Sequence, residues 1–359
     1  MDFRQLVRPA IRPLKPYTNT RSTYNGEIFL DDMESPFWGR YELKLDNIPL
    51  NRYPDGMFTA LREKVARFVG YGMTGKNIVL GNGSDELISL LMLIFLEAGD
   101  NIVVSPPTFT MYDLLATMHK AEVHSVSLES ETFALNAEKV LQQVDAKTKI
   151  IFLCNPNNPT GTLLDRAEIE KVVNNAPCLV VVDEAYGEYF PDTFSSFIQE
   201  ISTRENLIVF RTFSKAWGLA GIRCGYAVAP EWAITEFDKV RLPFNIDRMT
   251  ATIIDQVLDQ ERVMRATVHE LVAERQWMEQ QLQDLGLKTF PTITNFLCAK
   301  LPEQHSATEI TATLAKEHGI LIRDRSKEKH LGNSIRVSVE DTRAKNERFI
   351  AAMKTLMEK

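Results

Sequence analysis

The sequence lacks the marks of several chemistries. It has no Cys-x-x-Cys pair and no His-Glu-x-x-His run, and its four cysteines, Cys154, Cys178, Cys224 and Cys298, stand far apart. No zinc site of familiar spacing and no disulfide framework is indicated, so a metal ligand set is not expected. Isolated thiols fit a reducing, cytoplasmic setting. The longest apolar run, 87–96, is interrupted by Ser89 and falls well short of the roughly 20 residues that cross a bilayer. Lys and Arg total 41 against 48 Asp and Glu, a net charge of −7, with no long basic run. That balance argues against nucleic acid as the main partner. The N-terminal stretch carries Arg4, Arg8, Arg12 and Lys15 among prolines without an apolar core, so it is not a secretory signal and reads as an arm of the mature chain, with a transit peptide as the alternative. There is no Gly-x-Ser-x-Gly elbow around Ser214, which argues against a serine hydrolase. No internal repeat is visible.

What remains is an ordinary globular chain of 359 residues, 44% apolar and 25% charged. That length suggests one large and one smaller domain. Helical spacing over 55–69 puts Leu61, Val65 and Phe68 on one face. Short apolar runs then recur at 77–80, 101–105, 123–128, 149–154, 178–183, 206–211 and 224–229, most of them separated by amphipathic segments of helical length. Strands rich in Val and Ile on both faces, alternating with helices, predict a mostly parallel seven-stranded sheet covered on two sides. From about residue 248 the texture changes. Residues 248–285 lack Gly and Pro and read as mainly helical. Beyond them, strand-like runs at 294–299, 319–323 and 334–339 mix with helices near 306–318 and 341–357. The expected organisation is an N-terminal arm (1–45), a large α/β domain (46–247) and a smaller α+β domain (248–359).

Three polar clusters fall at the C-terminal ends of predicted strands, the edge where open α/β sheets bind ligands. They are Asn155-Pro156-Asn157-Asn158-Pro159-Thr160-Gly161, Asp183-Glu184-Ala185-Tyr186, and Thr212-Phe213-Ser214-Lys215 followed by Gly218 to Arg223. Asp183 ends an apolar run, so its carboxylate should be poorly solvated and in need of a cation. A lone aspartate there is as readily a helix N-cap. Lys215 beside two hydroxyls and upstream of Arg223 suits an imine-forming amine, although most lysines simply face solvent. Gly81-Asn82-Gly83-Ser84-Asp85-Glu86 is a glycine-rich turn ahead of an apolar helix, suited to a phosphate or equally to plain capping.

In this order, the three clusters resemble those of the fold-type-I pyridoxal-phosphate aminotransferases, over nearly the whole chain. Within that superfamily the sequence is similar to the histidinol-phosphate aminotransferase family. That likeness rests on Asn51-Arg52-Tyr53-Pro54-Asp55, Pro106-Pro107-Thr108-Phe109, Gly319-Ile320-Leu321-Ile322-Arg323-Asp324 and Ile335-Arg336-Val337. The resemblance implies pyridoxal 5′-phosphate as cofactor, 2-oxoglutarate as amino acceptor, and a homodimer with shared active sites. It implies that Lys215 holds the cofactor and moves a proton, that Asp183 pairs with the pyridine nitrogen, and that Tyr186 and Asn158 bond the ring hydroxyl. Phe109 would stack on the ring. Ser84, Asp85, Thr212, Ser214 and Arg223 would hold the phosphate, joined by Tyr53 from the partner subunit. Tyr17, Asn158, Arg323 and Arg336 would bind substrate. Asp32-Met33-Glu34-Ser35-Pro36 departs from the Asn-Glu-Asn-Pro usual in that family, at the border of the substrate pocket. An aromatic amino-acid aminotransferase and a decarboxylase of a phosphorylated amino acid share the same motifs. A cofactor-sensing transcription regulator would need a DNA-binding module and a basic stripe, neither of which is seen.

Overall fold

The computed structural model describes residues 2–16, 18–37, 39–192 and 194–358. A short strand in the arm, β1 (Ile28–Phe29), precedes the main alternation. Next come β2 (Ile78–Gly81), β3 (Asn101–Val104), β4 (Glu122–Ser125), β5 (Thr148–Cys154), β6 (Leu179–Asp183), β7 (Leu207–Thr212) and β8 (Gly225–Val228). These seven form one sheet in the order β2-β8-β7-β6-β5-β3-β4. Strand β8 runs against both its neighbours, and every other pairing is parallel. Each of the seven apolar runs in the sequence is therefore a strand, with small shifts at the ends.

Alternation along β6 shows why the sheet is buried on both faces. Val180 and Val182 join one apolar core, with Val103, Ile151 and Val209. Leu179 and Val181 join the other, with Ile102, Phe152 and Ile208. Side chains two apart share a face, so a run of valines feeds both layers. Because β5, β6 and β7 are neighbours in the sheet, the loops after them converge on one edge.

The C-terminal part holds a four-stranded antiparallel sheet, β12-β13-β10-β9. Its strands are β9 (Lys288–Thr289), β10 (Phe296–Lys300), β12 (Arg323–Asp324) and β13 (Ser334–Ser338). The single strand expected over 319–323 is split. Ile320 and Leu321 form β11, which pairs in parallel with β1 of the arm, and the chain then turns to β13. The arm is thus tied into the C-terminal part.

Residues 248–285 are mainly helical as expected, in two helices, Arg248–Leu258 and Glu261–Asp284. The break has no Gly or Pro to announce it. Asp259 Oδ2 instead accepts from Lys64 of the helix Thr59–Val69 at 2.7 Å, and Gln260 Nε2 donates to the Glu42 carbonyl of the arm at 2.8 Å. In the second helix Arg275 is buried and donates to the Thr294 carbonyl at 2.6 Å. The helix Ala137–Gln142 and the strands β1 and β9 were not foreseen; each is too short for a periodic signal. Among the described residues no helix is long and apolar enough to cross a membrane.

Candidate active site

Asp183 closes β6 with 3% of its surface exposed. Its carboxylate accepts the Tyr112 hydroxyl at 2.6 Å and the Ala185 N–H at 3.1 Å. Among the described residues none of its hydrogen-bond partners is a cation. Its pKa is pushed up to about 6: burial raises it most, the two hydrogen bonds pull it down, and Asp85 and Glu184 add to the rise. A carboxylate in this state is stabilised by any cation placed beside it.

Lys215 follows β7. Its Nζ donates to the Asp32 carbonyl at 3.1 Å and lies 5.8 Å from the centre of the Tyr186 ring. Burial and then the charge of Arg336 push the lysine pKa down to about 8, against the acidic pull of Asp32, Glu34 and Asp85. A useful fraction of the amine is therefore unprotonated near neutral pH. Tyr186 is buried, and its hydroxyl rests on Met33 Sδ at 3.1 Å. Met33, in the segment that departs from the family pattern, holds a left-handed φ of 54°. Asn295 Nδ2 grips its carbonyl at 3.0 Å.

A second group of donors lies where β7, β8 and the helix Gly83–Phe95 meet. Thr212 Oγ1 donates to Ser214 Oγ at 3.0 Å. Arg223 places Nη1 3.4 Å from Ser214 Oγ and Nη2 3.3 Å from Asp85 Oδ2. The helix starts at Gly83 with φ of 73°, and a Cβ there would collide with the Arg223 guanidinium. Gly225 is likewise required, since its Cβ would lie 2.6 Å from the Ser84 nitrogen. The Gly83 N–H donates to the Arg223 carbonyl at 3.0 Å and Asn82 makes no side-chain cap, so the next N–H groups, those of Ser84 and Asp85, face outward from the helix start towards an anion.

The antiparallel sheet supplies the opposite wall. Arg336 on β13 is buried and donates to Asn158 Oδ1 and to the Asp31 carbonyl, each at 2.7 Å. Burial, and then the charges of Arg325 and Arg323, push its pKa down. Arg323 on β12 is the direct cross-strand partner of Arg336 and donates to the Thr18 carbonyl at 3.4 Å. It does not pair with Asp324 or Glu328. Asp324 instead accepts from Thr308 at 2.7 Å, and Glu328 bonds Arg325 at 2.9 Å.

The structure thus brings Lys215, Tyr186, Asn158 and Arg336 together, with Arg323 beside Arg336. Phe109 is partly exposed and meets edge-on, at 5.5 Å, the ring of Tyr112, whose hydroxyl binds Asp183. Tyr53 is not part of this cluster. It is 76% exposed and stacks on Phe244 at 4.4 Å. Tyr17 lies outside the described residues. Two participants went unnoticed in the sequence. Tyr112 follows Phe109 by three positions at a helix start, a spacing that could have suggested it. Arg325 follows Arg323 by two, the spacing of residues on one face of a strand.

The residues fit pyridoxal 5′-phosphate. A protonated pyridine nitrogen would give Asp183 the cation it lacks. The uncapped helix start with Ser214 and Arg223 would take the phosphate, and Lys215 supplies an amine with a depressed pKa.

Comparison with known proteins agrees. Residues 29–353 match the family model described as aminotransferase class I and II. A histidinol-phosphate aminotransferase of Parabacteroides distasonis is 37% identical over 99% of both chains. Another, from Caldanaerobacter subterraneus subsp. tengcongensis, is 34% identical over 98% of this chain and 99% of that protein. Among solved structures, histidinol-phosphate aminotransferase from Sinorhizobium meliloti in complex with pyridoxal-5′-phosphate has the same fold, with a TM-score of 0.86 at 24% identity over 98% of this chain and 97% of that one. L-threonine-O-3-phosphate decarboxylase from Porphyromonas gingivalis also shares it, at a TM-score of 0.76 and 22% identity over 93% of this chain and 100% of that one. With its motifs, sheet order and nearly full-length match, the chain belongs to the class I and II aminotransferase family.

Proposed function

We propose that this chain is a cytoplasmic pyridoxal-phosphate aminotransferase. In this reading it moves the amino group of L-histidinol phosphate to 2-oxoglutarate, giving imidazole acetol phosphate and L-glutamate in histidine biosynthesis. The observation that carries the substrate is the pairing of Arg323 with Arg336 across β12 and β13. An α-carboxylate needs one guanidinium, whereas a dianionic phosphate suits two. Histidinol phosphate has no carboxylate, so Arg336 is available to its phosphate. Full-length relatives named for this reaction support transfer of the amino group over decarboxylation.

The geometry of the described residues supports the following roles. When bound, the cofactor supplies an electron sink for the charge left at the donor's α-carbon. Asp183 pairs with its ring nitrogen. Lys215 Nζ, whose buried setting makes loss of its proton easier, is the group that takes a proton from the α-carbon. Tyr186 and Asn158 orient the ring hydroxyl, and Phe109 covers a ring face. Thr212, Ser214, Arg223 and the Ser84 and Asp85 N–H groups hold the phosphate. Tyr17, Arg323 and Arg336 hold the substrate. Residues 1–45 serve as an arm, 46–247 as the cofactor domain and 248–359 as the smaller domain.

The assembly is a homodimer in this proposal. Leu50, Tyr53 and Leu242 are 69, 76 and 70% exposed, with the stacked Phe244 alongside. A second copy of the chain would cover this apolar surface and receive Tyr53 at its phosphate site. The deciding experiment supplies histidinol phosphate and 2-oxoglutarate, then measures glutamate and carbon dioxide. Glutamate formation supports the reading, and carbon dioxide without glutamate overturns it in favour of a decarboxylase.

A further inference from the structure

Asp183 has little to offset its charge. Asp85 and Glu184 beside it are acidic, and the Cys154 thiol and Tyr186 phenol nearby are held neutral by burial. Among the described residues, the Ala185 N–H and the Tyr112 hydroxyl are the donors to the carboxylate. The Ala185 contact is local to the turn. Tyr112 reaches across from the helix Met111–Met118, and its ring has little freedom. It is fully buried, stacks on Phe152 at 4.5 Å with planes 13° apart, and meets Phe109 edge-on at 5.5 Å. Burial holds its phenol well above the usual range, so it remains a proton donor at any working pH.

We propose that Tyr112 is a positioning residue of the reaction. Its hydroxyl fixes the Asp183 carboxylate and keeps it ionised, so that the shared proton rests on the ring nitrogen of the bound cofactor and not on Asp183. The proposal rests on the reading that Asp183 faces that nitrogen. A hydrogen bond to a carboxylate favours the charged form. Without it the carboxylate becomes more basic and takes the proton, and the electron sink weakens. Through Phe109 the same ring also braces the side chain expected on the cofactor face, so one tyrosine sets two contacts of the ring.

The test uses holoenzyme reconstituted with ring-¹⁵N pyridoxal phosphate. In the unaltered protein the nitrogen should resonate at a protonated position at neutral pH. Tyr112→Phe keeps the ring stack and removes one oxygen. It should move the resonance towards neutral pyridine, lower the nitrogen's apparent pKa by about one unit or more, and slow the amino-donor half-reaction at least about tenfold. Asp183→Asn is the control for the underlying reading and should move the resonance fully. If it does not, the pairing of Asp183 with the ring is wrong. If it does and Tyr112→Phe leaves the resonance in place, the proposal for Tyr112 alone is overturned. Phe152→Leu loosens the packing but keeps the hydroxyl, and should leave the resonance near its original position. An equal shift in both variants would make the effect one of packing and overturn the proposal.

Discussion

Arg323 and Arg336 occupy directly opposed positions on antiparallel strands β12 and β13, so their side chains leave the sheet on the same face. Arg336 is buried against Asn158 and the Asp31 carbonyl, while Arg323 lies nearer solvent, beside the Thr18 carbonyl. Two guanidinium groups this close repel each other, and a dianion between them removes that cost. A charge-assisted hydrogen bond contributes about 1.5–3 kcal/mol. Arg323→Ala should therefore lower kcat/KM for histidinol phosphate by about 10- to 100-fold. With an unphosphorylated donor such as phenylalanine the loss should be much smaller. Steady-state kinetics with both donors checks this, and equal losses would point to a general aromatic aminotransferase.

Lys215 makes the second prediction. Its pKa is pushed down to about 8, chiefly by burial and then by Arg336. Only the unprotonated amine attacks a carbonyl, so capture of pyridoxal phosphate by the apoenzyme should speed up as pH rises and level off above about 8. Arg336→Met removes a like charge and should move that midpoint upward. Borohydride reduction of the yellow holoenzyme, followed by peptide mapping, should place the cofactor on Lys215. A reduced adduct on any other lysine rejects the assignment.

Much of this was legible in the sequence because it is local. The seven strands announced themselves as apolar runs, and the polar residues at their ends followed directly in the chain. Asp183 could be read as a carboxylate needing a cation simply because Leu179 to Val182 precede it. What could not be read depends on pairing across long intervals. Nothing local reveals that Tyr112 reaches Asp183, 71 positions away. Nor does the motif around Glu34 show that Arg21 binds both it and the buried Asp31. Strand β1 of two residues has no period to detect, and it exists because Ile320 and Leu321 accept it. The split of the run 319–323 has the same origin, since its two halves find different partners.

Arg211 supports the third prediction. It binds Glu184 Oε2 through Nε at 2.9 Å and Nη2 at 2.7 Å, and Glu188 through Nη1 at 3.1 Å. Glu184, fully buried, is held further by Ser196 and the Phe197 N–H. This group clamps the turn that begins with Asp183, and a Cβ on Gly187 would collide with the Arg211 guanidinium. Removing one partner of a buried pair leaves an uncompensated charge and costs about 3–5 kcal/mol. Arg211→Met should lower stability by that order in denaturant unfolding, and Gly187→Ala should lower it in the same direction. A loss under about 1 kcal/mol for Arg211→Met would mean that the carboxylates find another partner or a proton.

The last prediction concerns Tyr53. Its ring stacks on Phe244 at 4.4 Å, and its carbonyl accepts from Arg248, so the backbone is anchored while 76% of the residue faces outward. A large aromatic held firmly and left exposed beside Leu50 and Leu242 is arranged for a partner surface. If its hydroxyl meets the cofactor phosphate of a second copy, each active site draws on both chains. Lys215→Ala and Tyr53→Ala should then be defective for different reasons. Lys215→Ala lacks the reacting amine in its own site, and Tyr53→Ala damages the site of its partner. In a hybrid dimer one site collects both defects and the other is intact. Mixing the two variants under conditions that exchange subunits should restore up to about a quarter of unaltered activity. Half of the dimers formed at random are hybrids, each with one good site. Sedimentation should show a dimer at assay concentration. A fully active monomer, or mixing that restores nothing although exchange is demonstrated, would remove Tyr53 from the partner's site.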